Sequence, residues 1–412
     1  MKTLKLLMVA AFAALLFTQC EKDEMPAIET KSASLPDVVP AKMFTVTVEN
    51  ISTPYPYFAG GAEFGVTGGD ATPPAHPGET ITVQFHAGPN HKLSFASMYG
   101  ASNDWFYAPN DDGIELFPGG SALEGDITGM VYLWDAGTEV DGSTTDEEES
   151  NPIEMVSTTE ENIQVLLDYD DVSMFTLTIN VLPESATPLS PTAWVVHSMD
   201  QHPIFMEGEL DYGMGLEALA ETGNAGPLGE KLEMHSGYVS PIAPMLWVVH
   251  DKDEMPIFTK GTPDRGEGLE LLAETGSPSE LETSLTDMWY DAGSGGSPII
   301  PGEKYSFSFN AKPGQYLSIA SMLGKSNDDF FAFGDSGIKL AFGNGGKDIT
   351  SEVMLWDAGT EVNEYPGAGI HEGGPGDTGM DENGVVKPLK HVDDGFWWPD
   401  ASQVIKVTIQ KN

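Results

Sequence analysis

Short runs of alternating apolar and polar residues recur along the chain, and turn-forming Gly and Pro residues separate them. Examples are residues 80–85 (Thr-Ile-Thr-Val-Gln-Phe), 175–180, 304–309 and 404–409. A period of two places every second side chain on one face, which is typical of a half-buried strand. Because these runs are short and few segments have helical periodicity, the chain is predicted to be all-β, with two antiparallel β-sandwich domains.

A smaller repeat predicts short helical insertions in this β-rich chain. The string Trp-Val-Val-His occurs at residues 194–197 and again at 247–250. Each copy is followed by helix-forming residues between two glycines, at 215–223 and 268–276. Glycine commonly ends a helix because it adopts left-handed backbone angles without steric cost. Each unit is therefore expected to contribute one or two helical turns.

The chain also contains a larger internal duplication. The octapeptide Leu-Trp-Asp-Ala-Gly-Thr-Glu-Val occurs at residues 133–140 and again at 355–362, and residues 93–104 match residues 317–328 upstream. The first large copy has no Trp-Val-Val-His string of its own, whereas two such strings precede the second copy. We therefore expect the following division: 1–19, a signal peptide; 20–42, a lipidated tether; 43–183, domain 1; 184–236, a duplicated Trp-Val-Val-His front-end unit packed on one of the sandwiches; 237–412, domain 2.

The N-terminus has the features of an export signal. Lys2 and Lys5 precede an apolar run at 6–17, which is too short to span a bilayer. Cys20 is the only cysteine, and its position resembles the lipid acceptor of a bacterial lipoprotein; an ordinary signal peptide with an incidental cysteine is the alternative. Residues 21–24 (Glu-Lys-Asp-Glu) resemble the acidic signal that sends Bacteroidetes lipoproteins to the outer face of the outer membrane. The expected location is the cell surface, with membrane contact only through the lipid.

The charge of the chain limits its partners. Among 412 residues, 64 are acidic and 19 are basic, which gives a formal net charge of −45. Nucleic acid and anionic lipid headgroups would be repelled by such a surface. Two explanations remain open for the excess of acids: it keeps an exported protein soluble, or it binds divalent cations.

Three acids recur in each large copy and are candidate metal ligands. They lie where strand-like runs give way to loops, and sandwich loops cluster at the two ends of the fold. Calcium binds six to eight oxygen atoms from carboxylates, backbone carbonyls and water. The alternative is that each acid only stabilises a turn. The candidates are Asp104, Asp135 and Glu139 in the first copy, and Asp328, Asp357 and Glu361 in the second copy.

These motifs resemble the spondin N-terminal (F-spondin) domain family. The resemblance rests on Ser-Asn-Asp at 102–104, on Asp-Ala-Gly-Thr-Glu at 135–139, on their second copies, and on Asp-Gly-Phe at 394–396. It implies a β-sandwich related to C2 domains, with one calcium ion per domain held by the three acids named above. Animal members tend to have Asp where this chain has Glu139 and Glu361. The first copy also carries an acidic insertion at 146–149.

The sequence shows no catalytic signature. We therefore expect a non-enzymatic, calcium-binding module that binds or adheres to an extracellular protein or glycan. A carbohydrate-active enzyme or its glycan-binding accessory module is the alternative, because aromatic runs such as 396–398 could stack on sugars. A third possibility is a structural lipoprotein in which calcium only stabilises the fold. His197 and His250 are either ligand contacts or histidines bonded within strand-to-loop corners.

Overall fold

The computed structural model describes residues 40–68, 73–142, 147–158, 162–340, 343, 345–372 and 379–412. The expected signal peptide 1–19, the lipidation residue Cys20 and nearly all of the tether 20–42 lie outside the described residues. Within the described part, Ala41–Asn412 form one compact unit. Two sandwiches make up this unit.

The first half of the unit contains thirteen described strands and two helices. The strands are β1 Lys42–Asn50, β2 Tyr57–Glu63, β3 Val66–Thr67, β4 Thr80–His86, β5 His91–Met98, β6 Trp105–Pro109, β7 Ile114–Glu115, β8 Gly125–Asp126, β9 Val131–Asp135, β10 Glu154–Thr158, β11 Ile163–Tyr169, β12 Met174–Val181 and β13 Thr192–Ser198. The helices are α1 Leu216–Thr222 and α2 Gly226–Met234. Short 3₁₀ helices lie at Pro118–Gly120 and Thr128–Met130.

The second half repeats most of this order. Its described strands are β14 Met245–His250, β15 Asp291–Gly295, β16 Lys304–Ala311, β17 Tyr316–Met322, β18 Asp329–Ala332, β19 Ile338–Lys339, β20 Gly345–Asp348, β21 Met354–Asp357, β22 Lys387–Pro388 and β23 Ile405–Lys411. Its helices are α3 Leu269–Thr275, α4 Ser279–Asp287 and α5 Ala401–Val404, with 3₁₀ helices at Thr350–Glu352 and Leu389–His391.

The first sandwich consists of two antiparallel sheets. One has the strand order β10-β9-β6-β5-β13-β2, with β7 on β5, and the other has the order β3-β4-β12-β11-β8. Apolar side chains from the facing sides of both sheets form one core, as the alternating burial of β12 illustrates. Helices α1 and α2 cover the outer face of the larger sheet and bury a second apolar cluster there. The fold is therefore all-β with short helical insertions, as predicted.

The second sandwich repeats this arrangement, with one strand fewer in its smaller sheet. One sheet runs β15-β14-β17-β18-β21-β22, with β19 on β17, and the other runs β16-β1-β23-β20. Helices α3 and α4 cover the outer face of the larger sheet. Left-handed glycines end α1 and α3 at Gly223 and Gly276, as the repeat predicted. No helix in the described ranges is long and apolar enough to cross a membrane.

The sheets divide the chain differently from the domain boundaries expected from the sequence. The 184–236 unit is not an additional front end, because its strand β13 is an interior strand of the first sandwich's larger sheet, between β5 and β2. Conversely, β1 belongs to the second sandwich, between β16 and β23. A Trp-Val-Val-His strand is apolar on both faces, so it needs a core on one side and helices on the other.

Strand β1 therefore occupies in the second sandwich the place that β12 occupies in the first. The registers make the equivalence residue by residue. In the second sandwich, Val46 of β1 lies opposite Phe307 of β16. In the first sandwich, Leu177 of β12 lies in the same way opposite Val83 of β4. Phe44 also stacks on Phe309 at 5.8 Å between ring centroids, the same separation as its counterpart pair in the first sandwich. The first sandwich is thus inserted in the chain between β1 and the rest of the second.

Candidate metal centres

The repeated acids lie at one end of each larger sheet. In the first sandwich, Asp104 immediately precedes β6 and Asp135 ends β9, and these two strands are paired. In the second sandwich, Asp328 precedes β18 and Asp357 ends the paired strand β21. The antiparallel pairing thus brings together two acids that are remote in sequence, as predicted.

Asp104 ties the turn after β9 to the start of β6. Its Oδ2 atom accepts hydrogen bonds from the backbone N–H of Thr138 at 2.7 Å, from the Thr138 hydroxyl at 3.2 Å and from the backbone N–H of Glu139 at 3.0 Å. The side chain is fully buried, yet its Oδ1 atom has no hydrogen-bond partner among the described residues. A buried carboxylate oxygen without a partner is costly in free energy.

Asp328 repeats this arrangement in the second sandwich. Its Oδ2 atom accepts from the backbone N–H of Thr360 at 2.7 Å, from the Thr360 hydroxyl at 3.2 Å and from the backbone N–H of Glu361 at 3.1 Å. Asp328 is also fully buried, and no described residue gives its Oδ1 atom a hydrogen bond. The same oxygen is thus left open in both copies.

The second aspartate of each copy shapes the repeated turn. The Oδ1 atom of Asp135 accepts from the backbone N–H of Gly137 at 2.7 Å, and that of Asp357 accepts from Gly359 at 2.5 Å. Both glycines have positive φ values, 67° and 70°, which explains why glycine stands here in the octapeptide. The turn chemistry considered as the alternative is therefore present, but it uses only one oxygen of each aspartate.

Burial shifts the titration of these acids. Burial, followed by the charge of Asp357, raises the pKa of Asp328 to about 7, against the lowering effect of its hydrogen bonds to the turn. Burial likewise raises the pKa of Asp357 and of Asp135. Lys387 opposes the shift of Asp357, because its Nζ atom lies 3.3 Å from Asp357 Oδ2 in an ion pair without hydrogen-bond alignment. The positive charge near these described carboxylates is therefore too small to offset the cost of burying their ionised forms.

The third acid of each predicted set is a glutamate. Glu139 and Glu361 are both buried, and Glu361 Oε1 accepts a 2.8 Å hydrogen bond from the backbone N–H of Gly379. In the part of the chain that the structure describes, neither predicted set of three brings its carboxylate oxygens within 4.8 Å of one another. Each aspartate instead turns one oxygen toward the loop backbone: Oδ2 in Asp104 and Asp328, and Oδ1 in Asp135 and Asp357.

A different set of three acids does come that close. One carboxylate oxygen each from Glu148, Glu217 and Glu221 lies within 4.8 Å of the others. Glu217 and Glu221 are one turn apart on α1, and Glu148 lies in the acidic insertion at 146–149. No local pattern predicts this contact, because it joins segments about 70 residues apart. Glu148 and Glu217 are exposed, so water already solvates them.

The structure adds residues that the motifs did not indicate. Asp329 lies directly opposite Asp357 in the β18–β21 ladder, and Lys387 lies opposite Asp357 on its other side. Asp329 is fully buried, and neither of its carboxylate oxygens has a hydrogen-bond partner within the described ranges. The string Asn-Asp-Asp at 327–329 was the only sequence signal for it.

The repeated histidines are bonded within the fold. His197 Nε2 lies 2.9 Å from the Ser94 hydroxyl, and its Nδ1 lies 2.9 Å from the Ser198 carbonyl oxygen. His250 has the same contacts with Ser318 and Asp251. Burial lowers the pKa of His197 to about 4, so its ring is neutral at physiological pH. Both nitrogens of each ring are therefore occupied by structural hydrogen bonds.

The fold and these residues define a class: a protein of two layered β-sandwiches, each with a fully buried aspartate beside a second aspartate at the end of its larger sheet. The chain matches no protein-family model, and no curated protein matches it. The resemblance to the spondin domain therefore stays a prediction.

Proposed function

We propose that the protein is a surface-anchored calcium-binding module that acts by binding or adhesion and not by catalysis. The observation that carries this proposal is the repeated open oxygen, Oδ1 of Asp104 and of Asp328, on two fully buried aspartates. A cation would compensate each buried charge and remove the free-energy cost of an unpaired carboxylate oxygen. Conservation of the same open atom in both copies argues against an accident of one loop.

The donor set favours calcium over transition metals. Carboxylate oxygens are hard ligands, and calcium accepts irregular sets in which backbone carbonyls and water fill the remaining positions. Such a set does not require three carboxylates within 4.8 Å of one another. The residues that would hold the ion are Asp104 and Asp135 in the first sandwich, and Asp328 and Asp357 in the second, with Glu139 and Glu361 as further candidates. Bound calcium would tie the loops at this end of each sandwich together.

Calcium stoichiometry tests this proposal directly. The full chain, purified in detergent and stripped with EDTA, should bind about two calcium ions in isothermal titration calorimetry, with magnesium binding more weakly. Asp135→Asn and Asp357→Asn should each remove about one equivalent, because each substitution removes the charge of one ligand. A matched control is Asp126→Asn with Asp348→Asn, since these exposed aspartates also accept a hydrogen bond at a turn in each sandwich. Unchanged stoichiometry in the ligand variants would contradict the assignment.

Membrane attachment is tested by Cys20→Ala. The resemblance to a lipoprotein acceptor predicts that this change moves the protein from the membrane fraction to the soluble fraction, because the acyl chains would be the only membrane contact. Cell fractionation with immunoblotting measures the outcome. Recovery of the variant in the outer membrane would contradict lipid anchoring.

Glycan binding is a second candidate function, and one structural feature favours it. A cleft of about 330 Å³ is lined in part by Trp397, which is 53% exposed. Aromatic faces exposed in a cleft are suited to stacking on sugar rings. The other lining residues include Phe58, His86, Trp194, Tyr238 and Tyr365. By contrast, the consecutive aromatic residues Phe330 and Phe331 are fully buried and are not available for such stacking.

A further inference from the structure

Asp329 is the least compensated charge in the described part of the chain. It is the first residue of β18, it is fully buried, and both of its carboxylate oxygens lack a hydrogen-bond partner there. Burying one carboxylate without partners costs several kcal/mol. A residue of this kind needs a compensating group or a bound proton.

The ladder shows where the side chain of Asp329 points. Successive side chains alternate between the faces of a sheet. Phe330 belongs to the cluster under the helices, whereas Phe331 belongs to the sandwich core. Asp329 therefore lies on the sandwich side, as does Asp357, which stands directly opposite it and has Leu355 two residues before it in that same core. Directly opposed side chains have Cβ atoms about 5 Å apart, so the two carboxylates face each other.

The equivalent row in the first sandwich has a different composition. There, Trp105 stands opposite Asp135, and Glu154 stands opposite Asp135 on the other side. The row in the second sandwich is Asp329, Asp357 and Lys387. The tryptophan packs against the sandwich core, so the first sandwich fills with a ring the space that the second gives to a carboxylate. Lys387 pairs with Asp357 and is one charge against two.

We propose that Asp329 is an additional ligand for a hard divalent cation, so that the second sandwich binds calcium more tightly than the first. This inference rests on the proposed calcium function. It assigns the two sites different roles: the second holds a permanent ion, and the first responds to the external concentration. The number of charged ligands and the rigidity of the site set calcium affinity over orders of magnitude. Asp329 adds a negative charge, and it adds rigidity because its backbone is fixed in a strand.

The test isolates the second site. The full chain in detergent, stripped with EDTA, carries Asp135→Asn to disable the first site, and calcium alone is titrated with and without Asp329→Asn. We expect Asp329→Asn to weaken calcium binding about tenfold or more. Asparagine has the shape of a protonated aspartic acid, so the fold should survive. Asp329→Trp, which copies the residue of the first sandwich, is a second variant with the same expected loss.

The possible outcomes separate this inference from the function on which it rests. If the unsubstituted chain binds about two calcium ions and Asp329→Asn leaves the affinity of the second site unchanged, Asp329 holds only a proton and the inference is overturned. If the unsubstituted chain binds no calcium, the proposed function fails and the inference fails with it. A tenfold loss in both Asp329 variants, with the affinity of the first site unaltered in a chain carrying Asp357→Asn, supports the inference.

Discussion

Val46→Asp should unfold the second sandwich and leave the first one folded. Val46 is fully buried in the middle of β1, which has hydrogen-bonded neighbours on both sides, β16 and β23. A charge here would lie in the apolar core without a partner, at a cost of about 3–5 kcal/mol or more. This is a large part of the ~5–15 kcal/mol that stabilises a typical domain. Strand β1 is joined to its sheet only through residues that are more than 250 positions away.

Limited proteolysis and thermal unfolding measure this outcome. The digestion pattern should show cleavage within residues 245–412, while a fragment that contains β2 to β13 resists. The matched variant is Leu177→Asp, because Leu177 occupies the same register position in the first sandwich. It should produce the reverse pattern, with the second sandwich protected. If Val46→Asp instead exposes the first sandwich, β1 does not belong where the sheets place it.

Much of this fold follows from local pattern in the sequence. The alternating runs at 80–85 and 304–309 lie in β4 and β16, and the two glycine-bounded segments form α1 and α3. Period and flanking glycines determine such elements because they depend on neighbouring residues alone. The pairing of the two aspartates in each copy was also predictable, since matching motifs at strand ends indicated one common loop cluster.

The assignment of strands to sandwiches could not be predicted in this way. An alternating pattern states that a strand has one buried face, but it carries no information about which sheet supplies the partner strands. Strand β1 and strand β12 have the same pattern, so nothing local indicated that β1 belongs to the second sandwich and β12 to the first. For the same reason, Asp329 looked like part of a polar turn, although it lies opposite a second buried aspartate.

Without calcium, the second sandwich should become more stable as the pH falls from 8 to 5. The pKa of Asp328 is raised from 3.8 to about 7, chiefly by burial, so the folded state binds its proton more tightly than the unfolded state does. Stability from such a group is fully present below pH 3.8 and is lost as the pH rises through about 7. The expected loss between pH 5 and pH 8 is about 2–3 kcal/mol. Burial, together with the charges of Asp328 and Asp357, also raises the pKa of Asp329, so this residue adds to the same pH dependence.

Saturating calcium should reverse this trend, because the cation binds the ionised carboxylates and protons compete with it. Melting temperatures of the second sandwich at pH 5 and pH 8, each in excess EDTA and in millimolar calcium, give the four values needed. The stabilisation by calcium should be small at pH 5 and several degrees larger at pH 8. Asp328→Asn should abolish most of the pH dependence in EDTA, since the amide does not titrate. If the EDTA values instead rise with pH, the buried carboxylates are compensated within the protein, and a cation is not needed to explain their open oxygens.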